Sequence, residues 1–89
     1  MNIGRETEQV EFKKSTSEIK EGVASVAFIL NKHGKGVLYF GVRNNGDICG
    51  QQVSDATLRE ISQSIGNRIK PSIYPQVTRE TSDDGLEYI

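Results

Sequence analysis

The run Gly36-Val37-Leu38-Tyr39-Phe40-Gly41-Val42 constrains this fold more than any other stretch of the chain. It is rich in β-branched and aromatic residues, bounded by glycine, and too short for a helix, so it reads as a strand. Alternation places Leu38, Phe40 and Val42 on one face and Val37, Tyr39, Gly41 and Arg43 on the other. Before it, Lys32-His33-Gly34-Lys35 reads as a helix end and a glycine turn. After it, Asn45-Gly46 signals a two-residue hairpin, whose type I′ turn needs positive φ at both positions. That register sets Asn44 opposite Asp47 and Val42 opposite Cys49. It also leaves Ile48 opposite Arg43, on the polar face.

The flanking segments supply the partners of that strand. Residues 8–14 alternate as a first strand, with Val10 and Phe12 on one face and Gln9, Glu11 and Lys13 on the other. Ser15 and Glu18 have capping-box spacing. The helix that follows carries Ile19, Val23, Val26, Ala27 and Leu30 as an apolar stripe, which Phe28 and Ile29 broaden. A second helix starts near Ser54 and Asp55, carries Leu58, Ile61, Ile65 and Ile69, and stops at or before Lys70, ahead of Pro71. Gly66 inside it weakens that helix by about 1 kcal/mol relative to alanine, a position that suggests close packing. Tyr74 to Arg79 reads as a strand, Ser82-Asp83-Asp84-Gly85 as a turn, and Leu86 onward as a further strand. The expected fold is α+β, in the order β-α-β-β-α-β-β: a small mixed sheet of about five strands with two helices packed on one face. The open face would present Glu11, Lys13, Tyr39 and Arg43 as a binding surface.

Eighty-nine residues make a single domain, 1–89, with a thin core. An apolar content of 35% is low for a self-sufficient globule. The expectation is an N-terminal fragment of a longer protein, with a further domain C-terminal to Ile89, or a homodimer formed through the sheet edge. The formal charge of −1 argues against a generically basic protein. Its distribution says more, because residues 22–46 hold Lys32, Lys35 and Arg43 and no acidic side chain. The lone Cys49 excludes an internal disulfide, and no apolar run is long enough to span a bilayer. The expected setting is cytoplasmic.

Three chemistries suggest themselves. Gly34-Lys35-Gly36 resembles a phosphate loop only superficially: Val37 stands where a Walker A loop needs Ser or Thr, and the turn leads from helix to strand, the reverse of the required order. A helix stop is the simpler role, with backbone-phosphate contacts from Lys32, His33 and Lys35 the second. Glu6, Glu8 and Glu11, with Asp47 in the hairpin, could hold Mg²⁺ or Mn²⁺ if they converged, although a solvated strand edge also explains them. Tyr39 could stack a base, though cross-strand packing is the commoner role. His33, the only histidine, has no nucleophile set around it and sits well beside a helix C-terminus.

Several of these stretches together resemble the Schlafen AlbA-type domain: Glu6-x4-Glu11-Phe12-Lys13, Ala27-Phe28-Ile29-Leu30-Asn31, Gly36 to Val42, Asn45-Gly46-x3-Gly50, and Ile65-x3-Ile69-x-Pro71. The resemblance runs through nearly the whole chain, in order and with matching spacing. It implies an α+β DNA-binding domain of bacterial transcriptional-regulator-like proteins, a group once catalogued as a divergent AAA ATPase domain. In animal Schlafen proteins the related fold is a metal-dependent endoribonuclease, whose carboxylates would correspond to Glu6 and Glu11 plus an aspartate after the Gly-Val pair. Here that position is Asn44, and the turn before the strand carries an extra residue and extra positive charge.

The resulting expectation is a DNA- or RNA-binding domain rather than an enzyme, contacting phosphates through Lys13, Lys32, His33, Lys35 and Arg43, with Tyr39 on the same surface and no cofactor. The alternative is a divergent endoribonuclease using Glu6, Glu11 and Asp47 with Mg²⁺ or Mn²⁺. An ATP-binding or dimerisation role ranks below both.

Overall fold

A computed structural model describes residues 1–69 and 75–89. Strand β1 spans Val10–Lys13 and strand β2 spans Val37–Phe40, and the two pair in parallel with Phe12 beside Tyr39 and Lys13 beside Phe40. Parallel neighbours need a crossover, which helix α1, Ile19–His33, provides. Ser15 starts the crossover by accepting the Ser17 N–H, which caps a short 3₁₀ turn, while the Glu18 carboxylate accepts the N–H of Lys14. The expected capping box is therefore offset by one residue. Gly34 ends α1 in the left-handed conformation and donates its N–H to the Leu30 carbonyl, as its position predicts.

Helix α2, Asp55–Arg68, starts at a complete capping box in which Ser54 and Thr57 exchange side-chain-to-backbone hydrogen bonds. Its Ile61 and Ile65, with Ile69 beyond its end, join Val23, Val26, Phe40, Val53 and Ile89 in the main core. Among the described residues nothing lies within 4 Å of where a methyl on Gly66 would stand. Lys70, Pro71 and Tyr74 lie outside the described residues. The stretch from 75 to 79 is not strand. Strand β3 is Glu80–Thr81, and it pairs antiparallel with β4, Glu87–Tyr88.

Among the described residues there are two two-stranded sheets, β1–β2 and β3–β4, and not one sheet of about five strands. The two are joined where Phe40 and Ile89 exchange both backbone hydrogen bonds at 3.0 Å. Val37 and Gly41 direct their N–H groups to β1, so Phe40 and Leu38 turn theirs to the opposite edge. That edge borders an apolar groove lined by Val26, Leu30, Ile61, Ile65 and Val77.

The face of β1–β2 away from the main core is not open. Because the pairing is parallel and in register, Phe12 and Tyr39 share that face, and Glu11 and Leu38 share the helix side. Phe12, Val42, Ile48 and Tyr88 form a second apolar cluster there, with Ile3, Val10 and Tyr39 packed against it. The expected binding face of Glu11, Lys13, Tyr39 and Arg43 therefore does not exist as one surface.

The hairpin register differs too. Gly46 donates to the Arg43 carbonyl and Arg43 donates to the Asp47 carbonyl, both at 2.8 Å. Val42 then bridges Ile48, not Cys49, and Arg43 rather than Asn44 faces Asp47. The reason is conformational. Among the described residues no non-glycine has positive φ, so Asn45 cannot fill a type I′ turn, and Gly46 alone takes the left-handed position, at φ 91°. A three-residue loop with a glycine bulge results. It resolves the discrepancy at Ile48, which is buried opposite Val42, and leaves Cys49 only half-buried.

Candidate nucleic-acid interface

The cations expected to act together fall into two groups at opposite ends of β2. Lys32 and Lys35 are exposed around the C-terminal end of α1, where the negative end of the helix dipole favours them and offsets part of their potential. Arg43 is exposed beyond the other end of β2, in the hairpin. Three residue steps of strand separate the two ends, about 10 Å at the rise of a β-strand.

Ion pairing separates these cations further. Lys13 Nζ lies 3.5 Å from a Glu11 carboxylate oxygen, and His33 Nε2 lies 3.7 Å from one of Glu8. Arg79 pairs with Glu87 at 3.2 Å and donates to the Val53 carbonyl. Among the described residues Lys32, Lys35 and Arg43 form no salt bridge, although Arg43 lies near enough to Asp47 to act on it electrostatically. Tyr39 is half-buried, with its ring 5.9 Å from Phe12 and 6.2 Å from Tyr88 between centroids. That is the cross-strand packing role, with part of the ring still at the surface.

The carboxylates are each engaged separately. Glu6 accepts the Phe12 N–H at 3.0 Å and so closes the turn into β1. Glu11 faces Lys13 on the helix side of the sheet. Asp47 accepts from the side-chain amides of Asn2 at 2.8 Å and Asn45 at 3.1 Å. The described residues contain no group of three or more His, Cys, Asp or Glu side chains placed to hold a metal ion. The turn at Asn44 is exposed and adds no charge to this arrangement.

Sequence reasoning missed two features. Phe28, assigned to the core by helical spacing, is 68% exposed. Its i−4 and i−7 neighbours, Ala24 and Glu21, are exposed as well, a signal the sequence already carried. The other is the N-terminal clasp. Asn2 bridges Asp47, Ile3 donates to the Gly46 carbonyl and Ile48 donates to the Met1 carbonyl, so residues 1–4 lie along the hairpin.

The clasp has a pH signature. The hydrogen bond from Asn2, with help from Asn45, the N-terminal ammonium and Arg43, holds the Asp47 carboxyl below its ordinary value of 3.8, against partial desolvation. A depressed carboxylate contributes stability that is fully present above the unfolded value and lost as pH falls through the lower folded one. Unfolding measured from neutral pH down into the acid range should show this loss for the wild type, and Asn2→Ala should flatten it. An unchanged acid limb in Asn2→Ala would exclude the clasp as its cause.

A parallel two-stranded core covered by two helices defines a small mixed α/β domain. The family model described as Schlafen, AlbA_2 matches residues 6–89 of the chain. The chain therefore belongs to the Schlafen AlbA_2 family, and that membership points to nucleic-acid binding or a related function. Comparison with curated proteins gave no match, and comparison with solved structures gave none either. Among the described residues no helix is long and apolar enough to cross a membrane.

Proposed function

We propose that this domain binds DNA or RNA within a transcriptional-regulator-like protein, through phosphate contacts from Lys32 and Lys35 at one end of β2 and Arg43 at the other. The observation that carries this reading is that, among the described residues, none of these three exposed cations is held in a salt bridge. A lysine or arginine that meets a phosphate displaces cations condensed around the nucleic acid, and their release is the main source of sequence-independent affinity. Lys13 contributes less in this reading, because Glu11 already neutralises it in part, and His33 is held beside Glu8. Binding is favoured over cleavage because Glu6, Glu11 and Asp47 have separate engagements in the fold.

Fluorescence anisotropy against duplex DNA, single-stranded DNA and a structured RNA tests it at low salt. The triple variant Lys32→Ala/Lys35→Ala/Arg43→Ala should bind at least about tenfold more weakly than wild type, whatever the sequence of the ligand. Undiminished affinity in the triple variant, or no binding by the wild type, would overturn the reading.

A further inference from the structure

We propose that Asn45 is a latent deamidation site, held in check by the N-terminal clasp on the hairpin. Asn45 is exposed and precedes Gly46, a residue without a side chain to hinder attack at its own nitrogen. In the reaction the Gly46 backbone nitrogen loses its proton and attacks the Asn45 side-chain carbonyl carbon. The Cγ–Nδ2 bond breaks and ammonia leaves, and water then opens the cyclic imide to aspartate or isoaspartate. No oxidant, metal or partner is needed.

The surroundings of the two residues split into a part that favours this step and a part that prevents it. The Asp47 N–H donates to Asn45 Oδ1 at 3.0 Å and polarises the carbonyl that would be attacked. The nucleophile, by contrast, is occupied: the Gly46 N–H is bound to the Arg43 carbonyl at 2.8 Å. The clasp fixes that arrangement. Asn2 Nδ2 donates to the Asn45 carbonyl at 2.9 Å, Ile3 donates to the Gly46 carbonyl at 2.9 Å, and the Gly4 backbone packs against Gly46. Reaction therefore requires the hairpin to open locally, and its native rate is the rate in the open chain multiplied by the fraction open.

The product would undo the clasp. An acid at position 45 loses the amide that donates to Asp47 Oδ2 at 3.1 Å and sets two carboxylates against each other. The added negative charge also lies two residues from Arg43. Neither step depends on nucleic-acid binding.

Peptide mapping by mass spectrometry, on protein held in mildly alkaline buffer, follows the conversion of Asn45. Native wild type should convert at least about tenfold more slowly than the same chain in concentrated urea. The retardation should match the slowing of Gly46 amide hydrogen exchange in the native protein, a comparison that needs no variant. Asn2→Ala, checked for native circular dichroism, should convert several-fold faster than wild type; if it unfolds, the wild-type comparison alone decides. Native wild type converting as fast as the unfolded chain would overturn the proposal. So would a folded Asn2→Ala that converts no faster than wild type, or a retardation unrelated to the exchange of Gly46.

Discussion

Gly46→Ala should lower the unfolding free energy by about 3 kcal/mol, the sum of a left-handed alanine at roughly 1–2 kcal/mol and one or two lost clasp hydrogen bonds at about 1 kcal/mol each. Gly46 stands at φ 91°, and a Cβ built on it would fall 1.7 Å from the Gly4 carbonyl oxygen, which belongs to backbone and cannot rotate away. Residues 1–4 must therefore leave the hairpin, exposing the second apolar cluster at Ile3 and Ile48. A urea titration gives the change directly. A loss below about 1 kcal/mol would mean that the N-terminal clasp does not pack as described.

Phe40→Ala is expected to cost about 3–5 kcal/mol, the range for deleting a buried phenylalanine and leaving a cavity. Phe40 is 1% exposed and joins the main core, where α1, α2 and Ile89 meet. The exposed Phe28 serves as the control. At 68% exposure Phe28→Ala should change stability by no more than about 0.5 kcal/mol. Equal costs at the two positions would contradict the assignment of the core. For a domain of marginal stability the first substitution alone can be enough to unfold it.

Much of this architecture was legible in the sequence because its signals are local. The stripe Leu58, Ile61, Ile65 and Ile69, the Ser54 cap and the Gly34 stop each depend on neighbours within one or two helical turns. Part of what stayed hidden depends on a backbone irregularity. Gly41 adopts φ 90°, and both its N–H and that of Val42 reach the Lys13 carbonyl. The extra residue shifts the alternation, so Val42 leaves the face of Phe40 and joins Phe12. Reading through Gly41 with an unbroken period of two misplaces Val42, while the in-register pairing of the strands is what puts Tyr39 with Phe12 and Glu11 on the other face.

The candidate site was only partly legible for a related reason. The identity of the cations Lys32, Lys35 and Arg43 is plain in the sequence, but their partners are set by tertiary structure. The pairing of His33 with Glu8 joins residues from different elements, and no spacing rule foretells it. Glu6 likewise serves the Phe12 amide, a structural duty that its motif position does not reveal.

Salt dependence tests the central claim most directly. Affinity for duplex DNA, measured across a series of salt concentrations, should give a straight line of log affinity against log salt. Replacing Lys32, Lys35 and Arg43 together by alanine should make that slope shallower by about 2.7, three phosphates at roughly 0.9 each. A wild-type slope retained in full by the triple variant would show that these cations do not meet phosphate.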